Sequence, residues 1–274
     1  MRINHNIAAL NASNRLKAND NSISKNLQKL SSGYRINSAA DDAAGLAVSE
    51  KMRAQINGLN QAEDNAQNGI SLIQTAEGGL NETESILQRM NTLAVESANG
   101  TYQDTDDRAN LQKEVTALIS EVDRIASSTN FNGTTLLDGT ATNLVFQIGS
   151  DNTTSQQVSL SIATMTATGL TIDGVSIGSQ TDAEAAIDTI KAAIKAVSGA
   201  RADLGAMQNR LEHTTNNLST MSENLTSAES TIRDVDMSSE MVDLTKNQIL
   251  EQAATSMLAQ ANAQPQNVLS LLKG

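Results

Sequence analysis

Cysteine is absent from the 274-residue chain. That excludes disulfides, thiol catalysis and cysteine-held metals. Tryptophan is absent as well, and aromatic residues make up 1% of the sequence. Any core must therefore be aliphatic; thin helical bundles can be built that way, and compact enzyme cores rarely are. Proline occurs once, as Pro265. No stretch approaches the ~18 apolar residues of a membrane span. The opening Met1-Arg2-Ile3-Asn4 has no apolar run of signal-peptide length. Basic residues are outnumbered, 19 against 31 acidic, for a net charge of −12, which argues against nucleic acid as a partner. The imbalance is uneven: residues 1–43 carry +3, residues 233–274 carry −2, and the middle carries −13. Two short ends of opposite sign suit pairing with each other.

Side chains for chemistry are also scarce. His5 and His213 each lack a second histidine at i+4 and read as helix-surface residues. No His-Glu-x-x-His occurs. Asp41-Asp42 and Asp104, Asp106 and Asp107 lack the spacing of a calcium loop and read as helix caps and loop residues. The nine methionines are spread along helices and read as packing. No catalytic, metal or cofactor site is read, and an enzyme is the least supported class.

What is present is a repeat. From Asp182 to about Asp234 an apolar residue recurs at every seventh position: Ile190, Val197, Leu204, Leu211, Leu218, Leu225 and Ile232. The intermediate seam positions turn polar after Ile194, with Arg201, Gln208, Thr215, Ser222 and Glu229. Such regularity predicts one long helix lying along partner helices. At 1.5 Å per residue, a helix of about 50 residues is roughly 75 Å long. The rest of the chain reads as what packs beside it.

Residues 4–32 read as a first helix, with Ile7, Leu10, Ile23, Leu27, Leu30 and Tyr34 on its apolar face. Polar Asn14, Lys17, Asn19 and Asp20 weaken it, so it needs a partner. Gly33 is a stop, and Ser32–Asp42 a linker. A second helix starts near Asp41 or Asp42. Met52, Ile56, Leu59, Ala66, Ile70, Ile73 and Leu80 form its seam, if Glu63 and Glu77 are tolerated there. Gly78-Gly79 is a candidate kink, after which Leu87, Met90 and Leu93 resume the face until Asn99-Gly100. A third helix, about Thr105 to Ser128, has the seam Leu111, Val115, Leu118, Val122, Ile125. From Asn130 to about Ser179 the pattern changes. Asn132-Gly133 and Asp138-Gly139 are hairpin-type turn pairs, and residues 144–148 and 158–162 look like strands. This region reads as a few short strands capping one end of the bundle. After a break at Asp234–Asp236, a last helix runs from Ser238 to about Asn262. Val242, Ile249, Leu250, Met257 and Leu258 form its apolar side, and Pro265 ends it. The apolar tail Val268-Leu269-Ser270-Leu271-Leu272 marks an interface.

Both ends carry long motifs. Met1–Asn6, Leu30–Gly45 and Gln264–Leu272, together with Phe131-Asn132-Gly133 and Arg201–Arg210, closely resemble bacterial flagellin, the filament subunit of the flagellum. The resemblance covers about 1–150 and 182–274. It implies a mainly α fold, a long coiled-coil helical rod with N- and C-terminal helices paired and a small β-hairpin region. It implies an inner core of 1–43 and 233–274, disordered in the free monomer, and an outer core of 44–129 and 180–232. Residues 130–179 stand where other flagellins carry a large variable domain. The implied function is a structural subunit of a homopolymer, the flagellar filament, assembled by coupled folding of its termini. The polymerisation residues are then Ile7, Leu10, Ile23, Leu27 and Leu30, with Ile249 and Met257, and Val268, Leu269, Leu271 and Leu272. The resemblance also implies secretion through the flagellar type III channel, an export chaperone on the C-terminal helix, and cap and hook-junction partners.

By matching, the stretch Gln88–Glu96 is the patch sensed by a mammalian Toll-like receptor, Toll-like receptor 5. Arg89, Leu93 and Glu114 would be its centre, flanked by Ile190. From the residues alone, Leu93 reads as core and Arg89 as a solvated charge. Asn152 opens a glycosylation sequon, while the family is more often modified on Ser or Thr, here between Thr140 and Thr168. A hook–filament junction protein and a soluble coiled-coil adaptor are the alternatives. The apolar C-terminus speaks against the second.

Overall fold

The computed structural model describes residues 6–104 and 106–273, with the helical backbone alone for residues 265–273. Five helices carry the chain: α1 Ile7–Ser32, α2 Ala43–Ser97, α3 Asp107–Ser128, α4 Gln180–Arg233 and α5 Met237–Lys273. Four short strands lie between α3 and α4: β1 Asn130–Phe131, β2 Thr134–Thr135, β3 Leu144–Gln147 and β4 Gln157–Leu160. The caps are local. Asn6 accepts from Ala9 N at the start of α1, and Gly33 ends it in the left-handed region at φ 76°. Asp42 Oδ1 accepts from Gly45 N at 2.9 Å ahead of α2. The chain divides into two compact units, residues 55–223 and residues 1–54 with 224–274.

In the unit of residues 55–223, the heptad positions of α4 behave as the sequence predicts. Ile190, Val197, Leu204 and Leu211 are buried with Ile70, Ile73, Leu80, Leu87, Met90 and Leu93 of α2 and with Val115 and Val122 of α3. Two of the polar seam positions are paired with α2. Arg201 bonds Glu84 and lies 3.6 Å from Glu77, which is how a seam glutamate is tolerated. Ser222 Oγ donates to Asn60 Oδ1 at 2.8 Å.

The strand region is not an end cap. Leu136, Leu137, Val158, Ile162, Ile172 and Ile177 belong to the same core as the helices. The segment runs along α2. A Cβ on Gly58 would stand 2.8 Å from Ser150, one on Gly69 3.2 Å from Phe146, and one on Gly79 2.9 Å from Leu137. Farther on, Ser97 Oγ donates to Ile177 O at 2.6 Å. From Gly58 to Ser97 is about 60 Å of helix. Gly78-Gly79 therefore does not break α2; Gly79 is the small residue that lets this segment approach. The turn Asn132-Gly133 does join a hairpin, β1 to β2, with φ of 50° and 81°. β3 pairs antiparallel with β4. Asp138-Gly139 joins no strands; the Asp138 carboxylate instead accepts from Thr140 N at 2.9 Å.

Arg108 closes the α2–α3 connection. Its guanidinium donates to Ser97 O at 2.7 Å and to Asn99 O and Tyr102 O at 2.8 Å, and pairs with Asp104. Ser97 O is one of the carbonyls that a helix C-terminus leaves without an intrahelical partner, and Asn99 O and Tyr102 O belong to the loop that follows.

In the other unit, the expected linker is pinned. Arg35 N donates to Arg233 O at 2.7 Å, Val235 N to Gly33 O at 3.0 Å, and Tyr34 bridges Asp234. The Arg233 guanidinium lies 4.7 Å from the Tyr34 ring centroid and donates to Glu50 at 2.7 Å, which holds that carboxyl below its usual range. Ile36 is buried beneath. α5 also departs from expectation, continuing through Pro265 to Lys273.

Candidate functional site

α1 and α5 form an antiparallel pair. Asn6 Nδ2 donates to Ala261 O, Asn19 Nδ2 to Asn247 O, and Lys29 stands 3.6 Å from Glu240. The inward positions of α1 are Ala9, Ala12, Leu16, Asn19, Ile23, Asn26 and Leu30, in strict three–four alternation. Those of α5 are Glu240, Leu244, Asn247, Glu251, Ala254, Leu258 and Ala261, with the same alternation. This is a heptad seam built mostly of small and polar residues. Only Asn26 and Leu244 on it are buried. With its amide turned so that both ends are satisfied, Asn26 donates to Ser22 O and Glu240 Oε1 at 3.0 Å and accepts from Asn247 Nδ2 at 3.1 Å.

The apolar residues read as seam from the sequence point elsewhere. Ile7 is 57% exposed, Leu10 58%, Leu27 51%, Val242 67%, Ile249 61% and Met257 65%. Of the expected polymerisation residues on α1, Ile23 and Leu30 do lie on the seam, half-buried. Leu258 alone of the expected apolar side of α5 faces it. The correction has a physical reason: alanines and asparagines at heptad spacing satisfy close packing and hydrogen bonding between two helices, which frees the larger residues to face outward. The signal was present in the sequence as the spacing of Ala9, Ala12, Leu16, Asn19 and Ile23. Beside the exposed face lies a groove of about 580 Å³ lined by Ala12, Arg15, Asn19, Leu250, Ala254 and Met257. Val268, Leu269, Leu271 and Leu272 fall where side chains are outside the described residues.

The second group of expected site residues lies on α2, α3 and α4. Arg89 on α2 and Glu114 on α3 form an ion pair at 2.8 Å, with side chains 53% and 41% exposed. Leu93 and Ile190 are fully buried in the core. They are not surface contacts: both occupy heptad positions where α2 and α4 pack. The surface part of this group is therefore Arg89 and Glu114. No helix among the described residues is long and apolar enough to cross a membrane. No cluster of three or more potential metal ligands occurs among them either.

Comparison with known proteins bears on the exposed terminal pair. Residues 3–142 match the bacterial flagellin N-terminal helical region, and residues 187–272 the C-terminal helical region. The chain belongs to the flagellin family. It is 54% identical to the flagellin of Bacillus subtilis (strain 168), with all of both chains aligned. It is 52% identical to the flagellar filament 30.7 kDa core protein of Treponema maltophilum, over 99% of this chain and 100% of that one. The crystal structure of Bacillus cereus flagellin matches 57% of this chain and 88% of that chain, with a TM-score of 0.50 and 33% identity. As a flagellin, the chain is a structural subunit of the bacterial flagellar filament rather than an enzyme, and its place is the extracellular filament. Its 274 residues fit a form without a large outer domain.

Proposed function

We propose that this flagellin polymerises through the outward apolar face of the α1/α5 pair, and that ordering of the pair is completed by neighbouring copies. One observation carries the reading: the residues with the most apolar area on these helices are turned away from the partner helix. Large exposed apolar faces of this kind mark an interface. The intramolecular seam, with two buried residues, supplies little of the free energy needed to order two long helices. Contacts with neighbours would supply the rest, as in other coupled folding and binding. A head-to-tail contact that does not close on itself then builds a helical filament.

The same exposed face must be covered before assembly, which fits an export chaperone on α5 and passage through the flagellar type III channel to the cap. The test is seeded polymerisation of the full chain and of a version lacking residues 236–274, imaged by electron microscopy. Filaments are expected from the full chain alone. Growth of both versions, or of neither, would refute coupled folding of the ends and reopen the hook–filament junction reading.

A second reading, recognition by Toll-like receptor 5, is narrowed to the exposed Arg89–Glu114 pair, with Leu93 and Ile190 as the core residues that hold α2 and α4 beneath it. A basic side chain on a rigid helix face suits a protein partner. Arg89→Ala should lower signalling in receptor-reporter cells without lowering the melting temperature. Unchanged signalling would remove Arg89 from the patch.

A further inference from the structure

α5 runs unbroken from Met237 to Lys273 through the chain's single proline, Pro265. A proline within a helix has no N–H to give to the carbonyl four residues earlier, here that of Ala261. In this fold that carbonyl has another donor. Asn6 Nδ2 donates to Ala261 O at 2.8 Å, across 255 positions of sequence. The other end of the same amide is engaged as well: Asn6 Oδ1 accepts from Ala9 N at 3.1 Å and caps α1. One side chain thus begins the N-terminal helix and stands in for the N–H that proline removes from the C-terminal helix.

The same seam contains a comparison. Asn19 Nδ2 donates to Asn247 O at 2.6 Å, again a side-chain amide of α1 on a main-chain carbonyl of α5. Four residues beyond Asn247 stands Glu251, whose N–H is present, so the Asn19 bond adds to a carbonyl with a helical donor. The Asn6 bond replaces a missing one. Leaving a partly buried carbonyl without a donor costs its desolvation, whereas a second donor to a satisfied carbonyl contributes less.

We infer that Asn6 is a positioning residue for assembly: its amide matches the start of α1 to the proline turn of α5. Pro265, which would ordinarily end the helix, then sets where α1 must begin, and Asn6 and Pro265 act as a unit. This rests on the reading that the α1/α5 pair is the element that assembles. The test measures incorporation of labelled full-length variants, as a minor fraction, into filaments growing from the wild-type chain. Asn6→Ser keeps a capping oxygen, since serine and asparagine cap about equally well, but is too short to reach Ala261. Its incorporation should fall about fivefold, the size of one net hydrogen bond. In a Pro265→Ala background the restored N–H takes the Ala261 carbonyl, and Asn6→Ser should then change incorporation by less than about twofold. Asn19→Ser should lose equally in both backgrounds. The inference is overturned if Asn6→Ser incorporates like wild type, or if its loss is undiminished beside Pro265→Ala. Wild-type chain that does not elongate seeds would overturn the assembly reading, and this inference with it, and is told apart because no variant is involved.

Discussion

Replacing Ile249 by serine should weaken filament growth while leaving the free chain as stable as before. Ile249 is 61% exposed on the side of α5 turned away from α1. Full burial of an isoleucine side chain is worth about 1.5–3 kcal/mol, so covering the exposed part in a polymer contributes roughly 1–2 kcal/mol. Serine forfeits that at each subunit contact. At 1.4 kcal/mol per factor of ten, the critical concentration should rise about 5- to 30-fold. Serine and isoleucine have similar helix propensity, and nothing in the intramolecular seam is lost. Leu244→Ser is the matched control: Leu244 is 7% exposed on the seam, so its loss should loosen the α1/α5 pair itself. Pelleting of seeded growth over a concentration series gives the critical concentration, and circular dichroism of the free chain gives helicity and melting. The reasoning fails if Ile249→Ser grows at the wild-type critical concentration. It fails equally if the free chain loses helix, since the side chain would then not be solvent-facing before assembly.

Three other perturbations test the fold. Arg108→Met keeps the aliphatic stem but removes the guanidinium donors from the carbonyls of Ser97 and Tyr102 and leaves Asn99 O with Tyr102 N alone; it should cost about 3 kcal/mol, or about 6–12 °C in calorimetric melting. Gly78→Ala and Gly79→Ala should move stability in opposite directions. A Cβ on Gly78 meets nothing within 4 Å, and alanine should gain about 0.5–1 kcal/mol there, whereas one on Gly79 meets Thr129 and Leu137 at 2.8 and 2.9 Å and should cost about 1–2 kcal/mol net; urea midpoints that shift together would refute the packing role of Gly79. Asp41 accepts from the Ser38 hydroxyl and N–H and from Asn37 N, and these bonds hold its carboxyl below the usual aspartate range. Its contribution is fully present above the unfolded aspartate pKa of about 3.9 and is lost as pH falls through the lower folded value, so the Ser38 amide resonance should shift only below about pH 4, and Asp41→Asn should remove that transition.

Where large aliphatic side chains mark the seam, as at Ile190, Val197, Leu204 and Leu211, the fold was legible in the sequence, and so was the Asn132-Gly133 turn. The course of the strand region was not. Its signal is Gly58, Gly69 and Gly79, eleven and ten residues apart, about three turns each and hence on one face of α2; glycine in a helix reads first as a weak point, and here it is a place of close approach. Hydrophobicity does not mark the inner face of α1 and α5, because alanine and asparagine hold the seam. Pro265 does not end α5, and the Ala261 carbonyl to which it gives no N–H accepts from Asn6 at the far end of the chain, a partner that no local pattern reveals. Leu93 and Ile190 show the converse: their heptad positions declared them core, and the structure agrees with the spacing.

The patterning of the α1/α5 pair fits the proposed polymerisation face. Two helices whose only task was to hold each other would meet through Ile7, Leu10, Leu27, Ile249 and Met257 and leave asparagine and alanine to water. The reverse arrangement is fixed at one end by the Tyr34–Asp234 bridge and at the other by Asn6 on Ala261. Between them, Asn26 bonds both Glu240 and Asn247. A polar residue at a seam position lowers the stability of a coiled coil and specifies its register. The chain thus has a weak seam whose register is nevertheless defined, and turns its apolar area outward, to the surface that the proposed assembly would cover. That combination, weak within the subunit and apolar outside it, is what a protein needs if it must remain unassembled until neighbours are present.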